Sequence, residues 1–296
     1  MNTPIIAVYA EGVMYPTTAS QSVHTTIYQL QKSGFNTPIL GLFHVGRDYD
    51  ITPAQITGDI YYNDTLVISQ GSYVGDSSWP GLIGSMIGGG VTKVCASFGG
   101  GGVLDFQTLK RIYEGNGNSY AGTNLLANLN VLRHTFPSIS VIDMDCEETY
   151  DQPSFVAFCQ LLIALGFQIS FCPYTWQDFW TGSLAKLNAS NPDKVVWWNL
   201  QAYDGGAGNE PGQWAAAIGT AIPGFATAGY IVVGDWTNDS PSEVKNLLRG
   251  FSNEPSLGGG FMWTLDDMIS AGTLDAYGSA IKAGLGVGTD SGAIVA

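Results

Sequence analysis

A chain of 296 residues with 11 basic against 25 acidic side chains carries a formal net charge of -14, which repels phosphate backbones and anionic membrane surfaces and argues against nucleic acid or a membrane as partner. No apolar run reaches the roughly 18 residues of a membrane span. Charged residues make up only 12 % of a chain rich in Gly, Ser, Thr, Asn and aromatics, a surface suited to neutral polar ligands.

Taken in order, Ile5 to Ala10 reads as a first strand, Thr25 to Lys32 has helical spacing, and Pro38 to Val45 is a second strand. Ile60 to Tyr62 and Leu66 to Ser69, parted by Asn63-Asp64-Thr65, form a hairpin insertion. Trp79 to Ile87 is helical, and Val91 to Ser97 is a third strand that ends in Phe98-Gly99-Gly100-Gly101-Gly102. That glycine run matches no phosphate-binding pattern and has no lysine, so tight backbone packing beside a site is the better account. A helix from Gly122 to His134 leads into a fourth strand.

The second half alternates more regularly. Helices at Pro153 to Leu165, Trp176 to Asn188, Pro211 to Ala221, Pro241 to Phe251 and Leu274 to Leu285 separate strands at Phe167 to Pro173, Val195 to Ala202, Gly229 to Gly234 and Gly260 to Thr264. Eight strands alternating with helices predict one (β/α)8 barrel, a TIM barrel of the α/β class, spanning 1–286 as a single catalytic domain. The Gly/Ser/Thr-rich residues 287–296 read as a flexible tail or linker stub. Only a helix fits between strands 7 and 8, so no α+β insertion is expected there.

Cys95, Cys146, Cys159 and Cys172 lack CxxC spacing and sit in apolar segments; buried thiols are expected, with one bridge between neighbouring strands open. Met1-Asn2-Thr3-Pro4 has no basic leader, so an extracellular location would need a signal removed from this chain, and otherwise the cytoplasm is expected.

The fourth strand carries the chemistry: Ser138-Ile139-Ser140-Val141-Ile142-Asp143-Met144-Asp145-Cys146-Glu147-Glu148. Strand period places Ile142, Met144 and Cys146 on one face and Asp143, Asp145 and Glu147 on the other. Carboxylates about 7 Å apart in a confined space keep a proton at neutral pH, which is how a general acid arises. A solvated antiparallel face would also alternate acids. An EF-hand fails, because Glu148 stands where glycine is required; an Asp-x-Asp magnesium site is not excluded by the stretch alone. In a barrel, however, strand ends converge on one face, and here they bear Tyr9, Ser97, the three acids, Gln201, Tyr203, Asp204 and Trp263.

These residues resemble glycoside hydrolase family 18, the chitinase and endo-β-N-acetylglucosaminidase family. Its DxxDxDxE signature is similar to Ser140 through Glu147, its SxGG motif to Ser97-Phe98-Gly99-Gly100, its strand-6 MxYD motif to Gln201-Ala202-Tyr203-Asp204, and its late tryptophan to Trp263. Ser140 in place of the outermost aspartate, Gln201 in place of methionine and Cys146 at an often aromatic position depart from that pattern; they leave the acid intact and bear on the substrate.

The resemblance implies retaining, substrate-assisted, endo-type hydrolysis of β-1,4-linked N-acetylglucosamine polymers by a monomer without metal or organic cofactor. It implies that Glu147 protonates the leaving oxygen, that Asp145 orients the acetamido group with Asp143 sharing a proton behind it, and that Tyr203 donates to the acetamido oxygen. Tyr9, Ser97, Gln201, Asp204 and Trp263 are expected to line the sugar site, with Trp263 as its floor. Chitin, peptidoglycan and the N-glycan core remain open as substrates. The competing expectations are a carbohydrate-binding protein on the same barrel, against which Glu147 speaks, and a magnesium phosphohydrolase.

Overall fold

The computed structural model describes residues 3–46 and 56–287. In chain order it contains β1 (Ile5–Ala10), α1 (Val23–Leu30), β2 (Thr37–Val45), an excursion of β3 (Ile60–Tyr62), β4 (Thr65–Ser69) and β5 (Ser72–Tyr73), then α2 (Trp79–Gly84), β6 (Val94–Gly99), α3 (Asp105–Gly115) and α4 (Asn124–Thr135). There follow β7 (Ile139–Asp145), α5 (Gln152–Ala164), β8 (Gln168–Phe171), α6 (Gln177–Ser190), β9 (Val195–Gln201), α7 (Pro211–Ala221), β10 (Ile231–Trp236), α8 (Pro241–Gly250), β11 (Leu257–Trp263), α9 (Leu265–Ala271) and α10 (Leu274–Gly284). The tail expected at 288–296 lies outside the described residues.

Parallel pairing runs β2-β6-β7-β8-β9-β10-β11, and β1 bonds to both β11 and β2, so eight strands close into the (β/α)8 barrel that the alternation implies. The antiparallel strands β3, β4 and β5 extend β2 outside the barrel, one strand more than the expected hairpin. Only α8 and its turns join β10 to β11. That helix starts on a Ser240–Glu243 capping box followed by Pro241, which satisfies its first amides.

Strand parity sorts side chains into two cores. Ile142, Met144 and Cys146 belong to the larger one between sheet and helices, whereas Ala7, Tyr9, Ile39, Cys95, Val141, Cys172, Trp197, Val232 and Phe261 fill the barrel lumen. Phe261 reaches across to β10, where a Cβ on Gly234 would sit 1.9 Å from its ring, so glycine is required there.

Four differences from the sequence expectation bear on the site. Helix α3 was not anticipated, although Phe106 and Leu109 have helical spacing and are buried on one face. Helix α9 follows β11 after a single residue and is too short to show a period. Strand β10 runs on to Asp235 and Trp236, and β7 stops at Asp145 instead of continuing through Glu147. All four cysteines are buried and free.

Candidate active site

The parallel register sets Ser97 of β6 beside Asp143 of β7, and Asp143 beside Ser170 of β8. Asp143 is fully buried, and its two oxygens receive four donors from four other strands. Tyr9 Oη and Ser97 Oγ each donate to Oδ2 at 2.8 Å; Ser170 Oγ and Asn199 Nδ2 donate to Oδ1 at 2.7 and 2.9 Å. Trp197 Nε1 donates to Asn199 Oδ1 at 2.9 Å, which fixes the amide with its NH2 toward Asp143. Burial pushes the Asp143 carboxyl up, and the four donors pull it back. The net direction is up, and with its acceptor positions filled Asp143 is a fixed acceptor at the floor of the site.

One turn of the strand higher, Asp145 is buried and faces Glu147. Gln201 Nε2 lies 3.2 Å from Asp145 Oδ1, 3.1 Å from Glu147 Oε1 and 3.5 Å from Cys172 Sγ, so one amide bridges the two acids. Burial, then the Glu147 and Asp143 charges, hold the Asp145 carboxyl far above the ordinary range. Burial also raises Glu147, while hydrogen bonds from Gln201 and Asp145 draw it back and the Asp204 charge adds to the rise. The pair therefore retains a proton that an exposed carboxylate would have lost, and the hydrogen bond between the two carboxyls shares it.

Glu147 lies just past the end of β7 but keeps the inward parity, with its carboxyl against the glycine run: a Cβ on Gly101 would meet Glu147 Oε2 at 3.2 Å. Gly99 has φ +107, and a Cβ there would strike the Asp145 carbonyl oxygen at 2.1 Å, so the run is glycine because the β6 loop packs directly against the acid-bearing segment. Glu148, of opposite parity, is exposed and accepts the Gly102 N–H.

Aromatic rings line the mouth. Tyr203 stacks on Trp236 with ring centres 5.7 Å apart and 25° between planes, and Trp263, half-buried at the end of β11, tilts against Tyr9 at 5.6 Å. Burial and the neighbouring Cys172, Asp145 and Glu147 push the Tyr203 phenol well up, so it remains a donor. Asp204 opens a short 3-10 turn and is exposed.

The structure thus brings Asp143, Asp145, Glu147, Gln201, Tyr203 and Trp263 to one end of the barrel. Tyr9 and Ser97, expected to line the sugar site, are buried and direct their hydroxyls at Asp143. Sequence reasoning missed Ser170, Cys172, Asn199 and Trp236. A polar Asn199 inside the apolar run Val195 to Leu200 was the available signal, since a buried amide needs partners. Among the described residues no three or more His, Cys, Asp or Glu side chains are grouped to hold a metal ion.

The closed parallel barrel has a fold like that of the catalytic domains of family 18 chitinases. The catalytic domain of a family GH18 chitinase from the fern Peteris ryukyuensis superposes with TM-score 0.56 at 16 % identity, covering 95 % of this chain and 99 % of that one. Active domain 2 of a thermostable chitinase from Pyrococcus furiosus, solved as catalytic-site mutants with chito-oligosaccharides, gives 0.55 at 11 %, covering 89 % and 84 %. The spore cortex-lytic enzyme SleL of Bacillus megaterium QM B1551 gives 0.59 at 10 %, covering 96 % and 75 %. No family model and no curated protein matches the sequence. At these identities the likeness defines the barrel and not the reaction.

Proposed function

We propose that this chain is a retaining glycoside hydrolase that cleaves β-1,4-linked N-acetylglucosamine polymers by substrate assistance. The observation that carries the reading is the Asp145–Glu147 pair, raised by burial and bridged by Gln201, at the rim of the lumen. Glu147, half-buried and facing the mouth, is the member that reaches a glycosidic oxygen and protonates it as the bond to the anomeric carbon breaks. The 2-acetamido carbonyl of the same sugar forms the new bond to that carbon from the opposite face, so no enzyme nucleophile is required. Once the shared proton has passed from Glu147 to the leaving oxygen, Asp145 turns as a carboxylate to the acetamido N–H and stabilises the positive oxazolinium intermediate, with Asp143 behind it. Water, deprotonated by Glu147, then opens the ring and restores the acid.

In this scheme Tyr203 donates to the acetamido oxygen and Trp263 stacks beneath the distorted ring. Tyr9, Ser97, Ser170 and Asn199 hold the Asp143 carboxyl in one orientation behind the intermediate. A thiazoline analogue of N-acetylglucosamine, which mimics the cyclised intermediate, should inhibit competitively. Efficient cleavage of cellulose-type oligosaccharides, which have no acetamide, would defeat the scheme.

A further inference from the structure

Strand parity puts Trp197, Asn199 and Gln201 of β9 in one row along the lumen, from the end opposite the mouth up to the acids. Two hydrogen bonds in this row run in series: Trp197 Nε1 donates to Asn199 Oδ1 at 2.9 Å, and Asn199 Nδ2 donates to Asp143 Oδ1 at 2.9 Å. Both side chains are buried. An amide can be turned either way in its site, but an indole N–H can only donate. Trp197 therefore selects the Asn199 oxygen and leaves the amide NH2 as the group that faces Asp143. Turned over, Asn199 would set its oxygen against a carboxyl and its NH2 against another N–H.

The indole is itself held from the end opposite the mouth. Lys93, the residue before β6, has its Nζ 4.6 Å from the Trp197 ring centre, and among the described residues it pairs with no carboxylate. A cation on the ring face strengthens the N–H as a donor, and hydrogen bonds in series reinforce one another by about 10–30 % each. Cys95 reports the reach of that charge. Burial raises its thiol most, Lys93 then lowers it and Asp143 raises it, so one lumen residue, two before the Asp143 donor Ser97, feels both.

Resting on the hydrolase reading, we propose that Trp197, backed by Lys93, is a positioning residue: its N–H fixes which way the Asn199 amide faces and so keeps a donor on the Asp143 carboxyl behind Asp145. Control of the acids thus extends to the opposite end of the barrel, through side chains that never meet the substrate. Asp143 is faced by Tyr9 on β1, Cys95 on β6, Cys172 on β8, Tyr203 beyond β9 and Asp145 on its own strand. Burial raises both phenols and both thiols, which stay neutral, so the acid limb of kcat/KM reports the carboxyls.

Trp197→Phe keeps the ring and deletes the N–H. A carboxyl that loses a donor binds its proton more tightly, so the acid limb should move up by about half a pH unit, and kcat should fall about fivefold with KM little changed. Lys93→Met should move the limb the same way by less, and Lys93→Arg should restore it. In an Asn199→Leu background Trp197→Phe should add nothing, because the amide that transmits its effect is gone. An unmoved limb in Trp197→Phe, or an equal further shift in the Asn199→Leu background, overturns the positioning role; a Lys93→Met limb that matches wild type overturns the part given to Lys93. Carbon-13 NMR of labelled aspartate carboxyls, assigned with Asp143→Asn, reads the same lock without turnover. A higher Asp143 titration in Trp197→Phe supports the proposal, and an unmoved one overturns it. Wild-type protein that hydrolyses no chito-oligosaccharide, while the Asp143 titration still moves in Trp197→Phe, sinks the hydrolase reading alone.

Discussion

Gln201 joins Asp145 to Glu147 through one side-chain amide, 3.2 Å from the first carboxyl and 3.1 Å from the second. That amide lowers the proton affinity of Glu147, which burial alone would raise further. Replacing it with a group that cannot donate changes the pH at which the acid is available. In Gln201→Leu the carboxyl of Glu147 moves up, the alkaline limb of kcat/KM shifts to higher pH, and the plateau falls by about tenfold as both acids lose a donor. A pH–rate profile with an unmoved alkaline limb would show that the bridge is not coupled to catalysis.

Glu147→Gln keeps the side chain's shape and removes the transferable proton. Turnover should fall by at least about a hundredfold while oligosaccharide binding survives. Glu148→Gln is the internal control: its amide oxygen still accepts the Gly102 N–H, so activity should change far less. Equal losses in the two variants, measured on one chitooligosaccharide, would place the acid elsewhere.

Tyr203→Phe leaves the stack on Trp236 in place and deletes only the hydroxyl. If that hydroxyl holds the acetamido oxygen in line, kcat should fall by about one to three kcal/mol of barrier with a smaller change in KM. A change confined to KM would assign the residue to ground-state binding.

How much of this was legible in the sequence follows from parity. Alternation along Ile139 to Glu147 placed Asp143 and Asp145 in the lumen and Ile142 and Met144 against the helices, because a one-residue slip would exchange the two sets. What the alternation does not carry is the neighbour across the sheet. Ser97, Ser170 and Asn199 meet Asp143 through the register of three strand pairs and barrel closure, and no local pattern encodes those distances. The same limit applies to Gln201, which resembled a substitution in a sugar pocket and proved to be the bridge between two acids. The end of β7 was missed because Glu147 keeps the strand's parity after its ladder has ceased.

Stability should decline as the solution becomes alkaline. Burial first, then neighbouring acids, raises Glu11 from 4.5 to about 7 and Asp235 from 3.8 to about 7. A folded-state value above the unfolded one means that the folded protein retains a proton the unfolded chain releases; the resulting stabilisation is full below pH 4 and is lost as pH rises through about 7. Thermal melts should give a Tm higher at pH 5 than at pH 8 by about 5 °C. The double variant Glu11→Gln/Asp235→Asn should flatten that slope, and an unchanged slope would assign the pH dependence to other groups.

The four donors around Asp143 have a consequence for how the barrel forms. They lie on β1, β6, β8 and β9, as far from Asp143 in the chain as the 134 residues back to Tyr9. A barrel closed with β1 shifted against its neighbours would bury a carboxylate with an incomplete set of partners, a defect worth several kcal/mol. Asp143 thus acts as a checksum on assembly: its satisfaction certifies that β1, β6, β8 and β9 have converged on β7 across the lumen in the correct alignment.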